Sequence, residues 1–223
     1  MAFQNRKDAG KRLATALLLY LDKDPIVLAL PRGGVPVAAE IANALDVPLD
    51  LVLVRKIGVP DQSELAMGAV VDGTPPIVVR NEDVIAASNV SAADFNAVLA
   101  QQLTEIERRR RRYLSGRKSL PVDGRTVILV DDGIATGATM RAAIRAVRAR
   151  KPHLIVLAVP VAASDTLASL QTEVDKLVCL ESHEAFGAIG AYYRDFNQTS
   201  DEEVIALLRA SASRPRRAQN HAR

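Results

Sequence analysis

The residues with most chemistry to offer lie in one string, VILVDDGIATGAT, residues 127–139. An apolar run ends there in two adjacent acids, Asp131 and Asp132, and a turn of small residues then opens a helical pattern. Two carboxylates at the carboxyl end of a buried strand can accept hydrogen bonds from a vicinal diol such as the 2- and 3-hydroxyls of ribose. Gly133, Ala135, Gly137 and Ala138 carry little or no side chain. A ligand can therefore approach the backbone, and the amides of a helix start can receive a phosphate. Thr136 and Thr139 add hydroxyl donors. The string describes a site for a phosphorylated sugar. It lacks the Gly-Lys-Ser/Thr ending of a Walker loop and the G-x-G-x-x-G spacing of a dinucleotide site, which demotes both. End-of-strand acids and helix-capping threonines with no ligand would not require the whole string.

A second anion-binding pattern precedes it. Pro31, Arg32, Gly33 and Gly34 place a cation beside two glycines at a helix start, where backbone amides can face an anion. By itself this is a tight turn with a solvated arginine; the sugar-phosphate string downstream gives it a use. Arg55 and Lys56 then precede residues 57–67, which contain Gly58, Pro60, Asp61 and Glu64 and read as a polar loop able to act as a lid. Tyr192, Tyr193 and Phe196 concentrate three of eight aromatic residues near the end of the chain. A base could stack on Tyr193 or Phe196, or these rings pack in the core. The run from Arg108 to Arg112 invites nucleic acid, but Glu105 and Glu107 lie four residues ahead of Arg109 and Arg111, as on a solvated helix face. His153, His183 and His221 lack metal-ligand spacing.

The elements that must position these residues alternate. Residues 9–20 have helical apolar spacing, 26–30 and 49–54 read as strands around a helix at 35–45, and 126–130 and 153–159 are strands around a helix at 138–150. Apolar residues at 177–180 supply a further strand. Short, wholly apolar strands alternating with helices predict an α/β fold whose parallel sheet is covered on both faces. Between the halves, segments 69–72 and 77–79 flank a Gly-Thr-Pro-Pro turn and suggest a hairpin, and 92–114 is a long polar helix, so about 57–118 reads as a flap or arm. Residues 1–210 make one domain, with a small hood from about 183–210 plus the N-terminal helix, and 211–223 read as a disordered basic tail.

Composition agrees with a single enzyme-sized core. The chain has 223 residues, 48% of them hydrophobic, and 29 Lys and Arg against 26 Asp and Glu. That balance is weakly basic for a duplex-DNA binder. The lone Cys179 allows no intrachain disulfide or cysteine zinc site and suits a reducing cytoplasm. No uncharged run approaches membrane-spanning length, and no processed leader is read at the N-terminus.

VILVDDGIATGAT resembles the signature of type I phosphoribosyltransferases for 5-phosphoribosyl-1-pyrophosphate (PRPP). The resemblance spans about 26–181, and LPRGGVPVA, RKIGVPDQSELAMGAV and AIGAYYRDFNQTSDEEV are similar to a bacterial group of stand-alone or hydrolase-fused members whose acceptors are mostly unassigned. It implies that Asp131 and Asp132 hold the ribose hydroxyls, Ala135, Thr136, Gly137, Ala138 and Thr139 the 5-phosphate, and Arg32, Gly33, Gly34 and Lys56 the pyrophosphate. Lys56 and Arg32 would be the catalytic cations, and the Pro31-Arg32 peptide is expected to be cis. It further implies Mg²⁺ carried mainly by the substrate, with Asp131 and Asp132 reaching it only through water, an unidentified base as partner, and a homodimer. The alternative is a PRPP-sensing regulator holding RNA or DNA through the basic arm. Ala135 stands where enzymes for 6-oxopurines carry an aspartate, and no lysine occurs between Lys151 and Lys176 to meet a purine 6-oxygen. Weak or no use of hypoxanthine and guanine is expected.

Overall fold

The computed structural model describes residues 2–73, 75–115, 117 and 119–213. Helix α1 (Arg6–Leu17) and a 3-10 turn lead into β1 (Pro25–Ala29), α2 (Gly34–Leu45) and β2 (Leu49–Leu51). The arm follows as β3 (Val54–Val59), β4 (Gln62–Val71), β5 (Ile77–Arg80), α3 (Glu82–Ala87) and α4 (Ala92–Leu114). The chain then returns through β6 (Thr126–Val130), α5 (Ala138–Ala149), β7 (Leu154–Ala163), α6 (Ser164–Leu170) and β8 (Lys176–His183), and closes with a 3-10 turn (Ile189–Tyr192) and α7 (Asp201–Ala212).

The central sheet is parallel throughout, in the order β2-β1-β6-β7-β8, with Val27 opposite Ile128 and Ile128 opposite Val156. Every residue of β1 and β6 is buried, so alternation places two apolar sets on opposite faces. Val27, Ala29, Ile128, Val130 and Val156 join the core shared with α1, α2 and α7. Ile26, Leu28, Val127, Leu129 and Ile155 pack with Met140, Ala143, Ile144 and Val147 of α5. At about 25 cal/mol per Å² of apolar surface removed from water, this two-sided burial is the main stabilising term.

The arm is a separate antiparallel sheet, β3-β4-β5, leaning on α5 through Ala69 and Val71. Here the sequence expectation needs correction: residues 57–67 form no loop. They are the paired strands of a hairpin turning at Pro60 and Asp61, with Ile57 and Met67 fully buried. Alternation of buried Ile57 and Val59 with the flanking polar residues carried this strand signal beneath the Gly and Pro content. The expected strand 49–54 likewise divides, because the chain leaves the parallel sheet after Leu51 and enters the arm at Val54. Residues 211–213 also depart from expectation, since α7 continues to Ala212 and Ser211 is buried. The rest of the expected tail, 214–223, and Thr74 of the expected arm turn lie outside the described residues.

Candidate active site

Parallel β1 and β6 are neighbours, so their carboxyl ends bring the two glycine-containing turns side by side. The contact is intimate. A Cβ added at Gly33 would overlap the Asp132 carboxylate, 2.6 Å from its Cγ, and one at Gly34 would lie 2.9 Å from Asp131 Cα. Only glycine lets this turn reach the acidic pair. The Pro31-Arg32 peptide is cis. Helices α2 and α5 both begin here, with Gly33 and Gly137 as N-caps and no side-chain hydrogen bond capping either; in α2 the Gly34 and Val35 amides donate instead to the Leu30 and Arg32 carbonyls, each at 3.1 Å.

The phosphate turn is braced by the neighbouring strand. Ile134 N–H donates to the Val161 carbonyl and Ala163 N–H to the Ile134 carbonyl, both at 3.0 Å. Thr166 Oγ1 donates to the Ala135 carbonyl at 2.6 Å. Gly137 has φ +74°, a left-handed conformation that favours glycine, and Thr166 Cγ2 closes the space beside it. Thr136, Ala138 and Thr139 face outward. Thr166 was not among the residues expected from sequence; a hydroxyl just after an apolar strand is too common a signal to single it out.

The acids are held from three directions. Asp132 N–H donates to Asp131 Oδ1 at 2.8 Å, and Tyr193 Oη donates to the Asp132 carbonyl at 2.5 Å. Arg6 Nε donates to Asp132 Oδ2 at 2.7 Å, with both side chains nearly buried at 12% and 11% exposure. Burial, and then the charge of Asp132, push the Asp131 carboxyl well above the ordinary range. A cation near the pair would relieve this. Among the described residues, no group of three or more His, Cys, Asp or Glu is placed to hold a metal ion.

The expected pyrophosphate cations are separated. Arg32 reaches Asp201 at the start of α7, at a long 3.5 Å. Tyr113 also donates to Asp201, at 2.6 Å, and that bond, followed by the charges of Arg112 and Arg32, holds the Asp201 carboxyl below its usual range. Lys56 lines a cavity of about 420 Å³ between the arm sheet and α5, shared with Arg80, Ala138, Thr139, Arg141 and Arg145. It therefore faces the phosphate turn more directly than the Arg32 turn.

Tyr193 is buried and offers no free face for a base, and Phe196, half-buried, has the Arg6 guanidinium over its ring. Tyr193 is buried between Phe3 and Phe196, at ring separations of 5.4 and 5.0 Å, and the Arg6 guanidinium lies 3.8 Å from the Phe196 ring centre. Both are packing residues because residues 3 and 4 add alongside 192–195: Phe3 N–H donates to Tyr192 O and Arg194 N–H to Phe3 O, each at 2.8 Å. Phe186 and Tyr192, half-buried like Phe196, stack at 4.9 Å and 18°, and Tyr192 also lies 4.6 Å from the His183 ring. Ile189, between them in sequence, covers Gly133, its Cγ2 2.6 Å from where a Cβ would stand. In the arginine run every member has an acid: Arg108 and Arg109 meet Glu105, Arg110 meets Asp72, Arg111 meets Glu107, and Arg112 meets Asp201 and Glu202.

The parallel α/β sheet, with two glycine-containing turns meeting at its switch point, is the type I phosphoribosyltransferase fold. The chain belongs to the phosphoribosyl transferase domain family, whose profile matches residues 2–197. Two Mycobacterium tuberculosis proteins, from strains CDC 1551 and H37Rv and each provisionally named a phosphoribosyl transferase, are 47% identical over 206 residues. The match takes in 92% of this chain and 46% of theirs, so the chain spans about half the length of these relatives. The crystal structure of TT1426 from Thermus thermophilus is 40% identical, with a TM-score of 0.81 over 93% of this chain and 98% of that one. AQ2163 from Aquifex aeolicus, at 10% identity and TM-score 0.51 over 83% and 78% of the two chains, shares the fold alone.

Proposed function

We propose that this chain transfers the 5-phosphoribosyl group from PRPP to a nitrogen acceptor and releases pyrophosphate. The observation that carries the reading is the apposition of Gly33 and Gly34 to Asp131 and Asp132, which puts an anion-binding turn beside a diol-binding pair. Asp131 and Asp132 accept the ribose hydroxyls, and the turn of Ala135, Thr136, Gly137, Ala138 and Thr139 takes the 5-phosphate. Amides at Arg32 and Gly33, with the charge of Arg32, receive the pyrophosphate, while the Gly34 amide stays bonded to the Leu30 carbonyl; Lys56, beside Ala138 and Thr139, adds its charge once the arm hairpin closes. As the bond from the sugar's C1 to pyrophosphate breaks, positive charge grows on the sugar and negative charge on the leaving group; the acceptor nitrogen then bonds to C1. The residues do not transfer the group covalently. They position it and stabilise the leaving oxygens.

Mg²⁺ fits the acidic pair, whose clustered charge favours a nearby cation, and would neutralise part of the pyrophosphate charge when bound with the substrate. In this chain Asp131 and Asp132 would hold it through water. The acceptor would enter beside Ile189 and the half-buried Phe186, which stacks on Tyr192. The paired arginines of α4 count against the regulatory alternative, because nucleic acid would have to displace an acid from each. No described helix is long and apolar enough to cross a membrane. A cytoplasmic homodimer completes the proposal, and sedimentation tests the assembly. The activity test is a screen of purine, pyrimidine and pyridine acceptors with PRPP and Mg²⁺. Nucleotide and pyrophosphate appearing together support transfer; PRPP breakdown to orthophosphate would identify a phosphatase instead.

A further inference from the structure

The N-terminal helix starts with an electrostatic contradiction. Arg6 and Lys7 are its first residues, where the positive end of the helix dipole disfavours cations. Arg6 is nevertheless almost buried, and its guanidinium is engaged at Nε by Asp132 Oδ2 at 2.7 Å, at Nη1 by the Asn197 carbonyl at 2.7 Å, and on its face by the Phe196 ring, 3.8 Å away at the centre. Neither contact of the guanidinium edge is local. Asp132 lies 126 residues away and Asn197 191 residues away.

These contacts tie three parts of the fold to one carboxylate. The segment at Phe3 and Gln4 is joined to residues 192–195 by backbone hydrogen bonds, and Tyr193 in turn grips the Asp132 carbonyl. Arg6 grips the same residue's carboxylate, while the Gly33 backbone fills the space on another side. The Asp132 side chain is thus held on two sides. Its Oδ2 is occupied by Arg6, and its carboxylate also meets that of Asp131, so the pair is presented to a diol as one unit.

From this geometry, and resting on the PRPP reading above, we infer that Arg6 is a positioning residue that locks Asp132 for recognition of the ribose diol. It acts through the carboxylate and does not touch the sugar. The planar guanidinium suits this task, since separate N–H groups must satisfy a carboxylate and a carbonyl at once while the face lies on an aromatic ring. Lysine, with one ammonium, can serve only part of it. Removing the cation would leave two neighbouring acids with one counter-charge fewer and free the Asp132 side chain to turn.

The test uses the full chain and its Arg6→Met and Arg6→Lys variants, each checked by thermal melting. Calorimetry measures PRPP with Mg²⁺, inorganic pyrophosphate, and the pair ribose 5-phosphate and 2-deoxyribose 5-phosphate. Arg6→Met should weaken PRPP by at least roughly tenfold, the effect of losing about 1.4 kcal/mol. It should also collapse the preference for ribose over deoxyribose toward unity, while pyrophosphate changes less than about twofold. Arg6→Lys should recover part of the ribose preference. Tighter PRPP binding by Arg6→Met would show that Arg6 competes with the sugar and overturn the inference. So would equal loss of PRPP and pyrophosphate, which marks general damage, or an unchanged ribose preference in whichever variant folds. Failure of the wild-type chain to bind PRPP would remove the parent reading as well, whereas wild-type binding with unaltered variants removes the role of Arg6 alone.

Discussion

Gly33→Ala is the smallest change that sets the two turns against each other. The added Cβ would stand 2.6 Å from Asp132 Cγ, against about 3.5–4.0 Å for comfortable carbon contact, an overlap of roughly 1 Å. The carboxylate cannot yield without lengthening its 2.7 Å bond to Arg6, and the Asp132 backbone is held by Tyr193. If the site stays put, overpacking should destabilise the fold by about 1–3 kcal/mol, or about 2–12 °C in melting temperature for a chain this size. If Asp132 swings away instead, a charge-assisted hydrogen bond worth about 1.5–3 kcal/mol is lost, and PRPP affinity should fall roughly ten- to hundredfold. Gly124→Ala is the control. Gly124 has φ +68° with nothing within 4 Å, so alanine there carries only backbone strain of about 1–2 kcal/mol and should leave PRPP binding intact. Differential scanning calorimetry and PRPP titration measure both effects. A Gly33→Ala protein that melts with the wild type and binds PRPP equally would refute the packing argument.

Three other outcomes are expected. PRPP with pyrophosphate-site ligands should slow amide exchange in residues 57–67, because the hairpin that carries Lys56 is the element able to close over the site; exchange indifferent to ligand would count against a lid. Burial raises the Cys179 thiol from 9.0 to about 11, which leaves about a hundredfold less thiolate at pH 8 than in the unfolded chain. Native alkylation should be correspondingly slow. The linked stability is intact below pH 9 and is lost as pH rises through 11, and alkylation at the unfolded rate would contradict this environment. Hypoxanthine and guanine should be poor acceptors, since Ala135 cannot take a base proton and no lysine occurs between Lys151 and Lys176 to meet a 6-oxygen, each unpaired polar group costing about 1–3 kcal/mol. Efficient turnover of either at micromolar concentration would show this wrong.

The parallel core was legible because its central strands are short, predominantly apolar and buried along their whole length; β6 and α4 match their sequence ranges to the residue. The acidic pair and both glycine turns were legible too, as local strings. What escaped depends on long-range contact. Nothing around Arg6 announces Asp132, although a cation opening a helix was a clue that it had a partner elsewhere. Tyr193 and Phe196 were marked by aromatic clustering, but clustering cannot say which side of a ring is covered, and Phe3 and Arg6 cover these. In the arm, Gly58 and Pro60 concealed a strand pattern that only pairing with β4 makes visible.

The central claim is that the cleft between Gly33–Gly34 and Asp131–Asp132 binds the phosphorylated sugar. Its most direct test is calorimetric titration of PRPP with Mg²⁺ into the wild-type chain and an Asp131→Asn, Asp132→Asn double variant shown to be folded by circular dichroism. The account predicts saturable binding by the wild type and a large loss in the variant, because both diol acceptors lose their charge together. Unchanged PRPP affinity in the folded variant would contradict it.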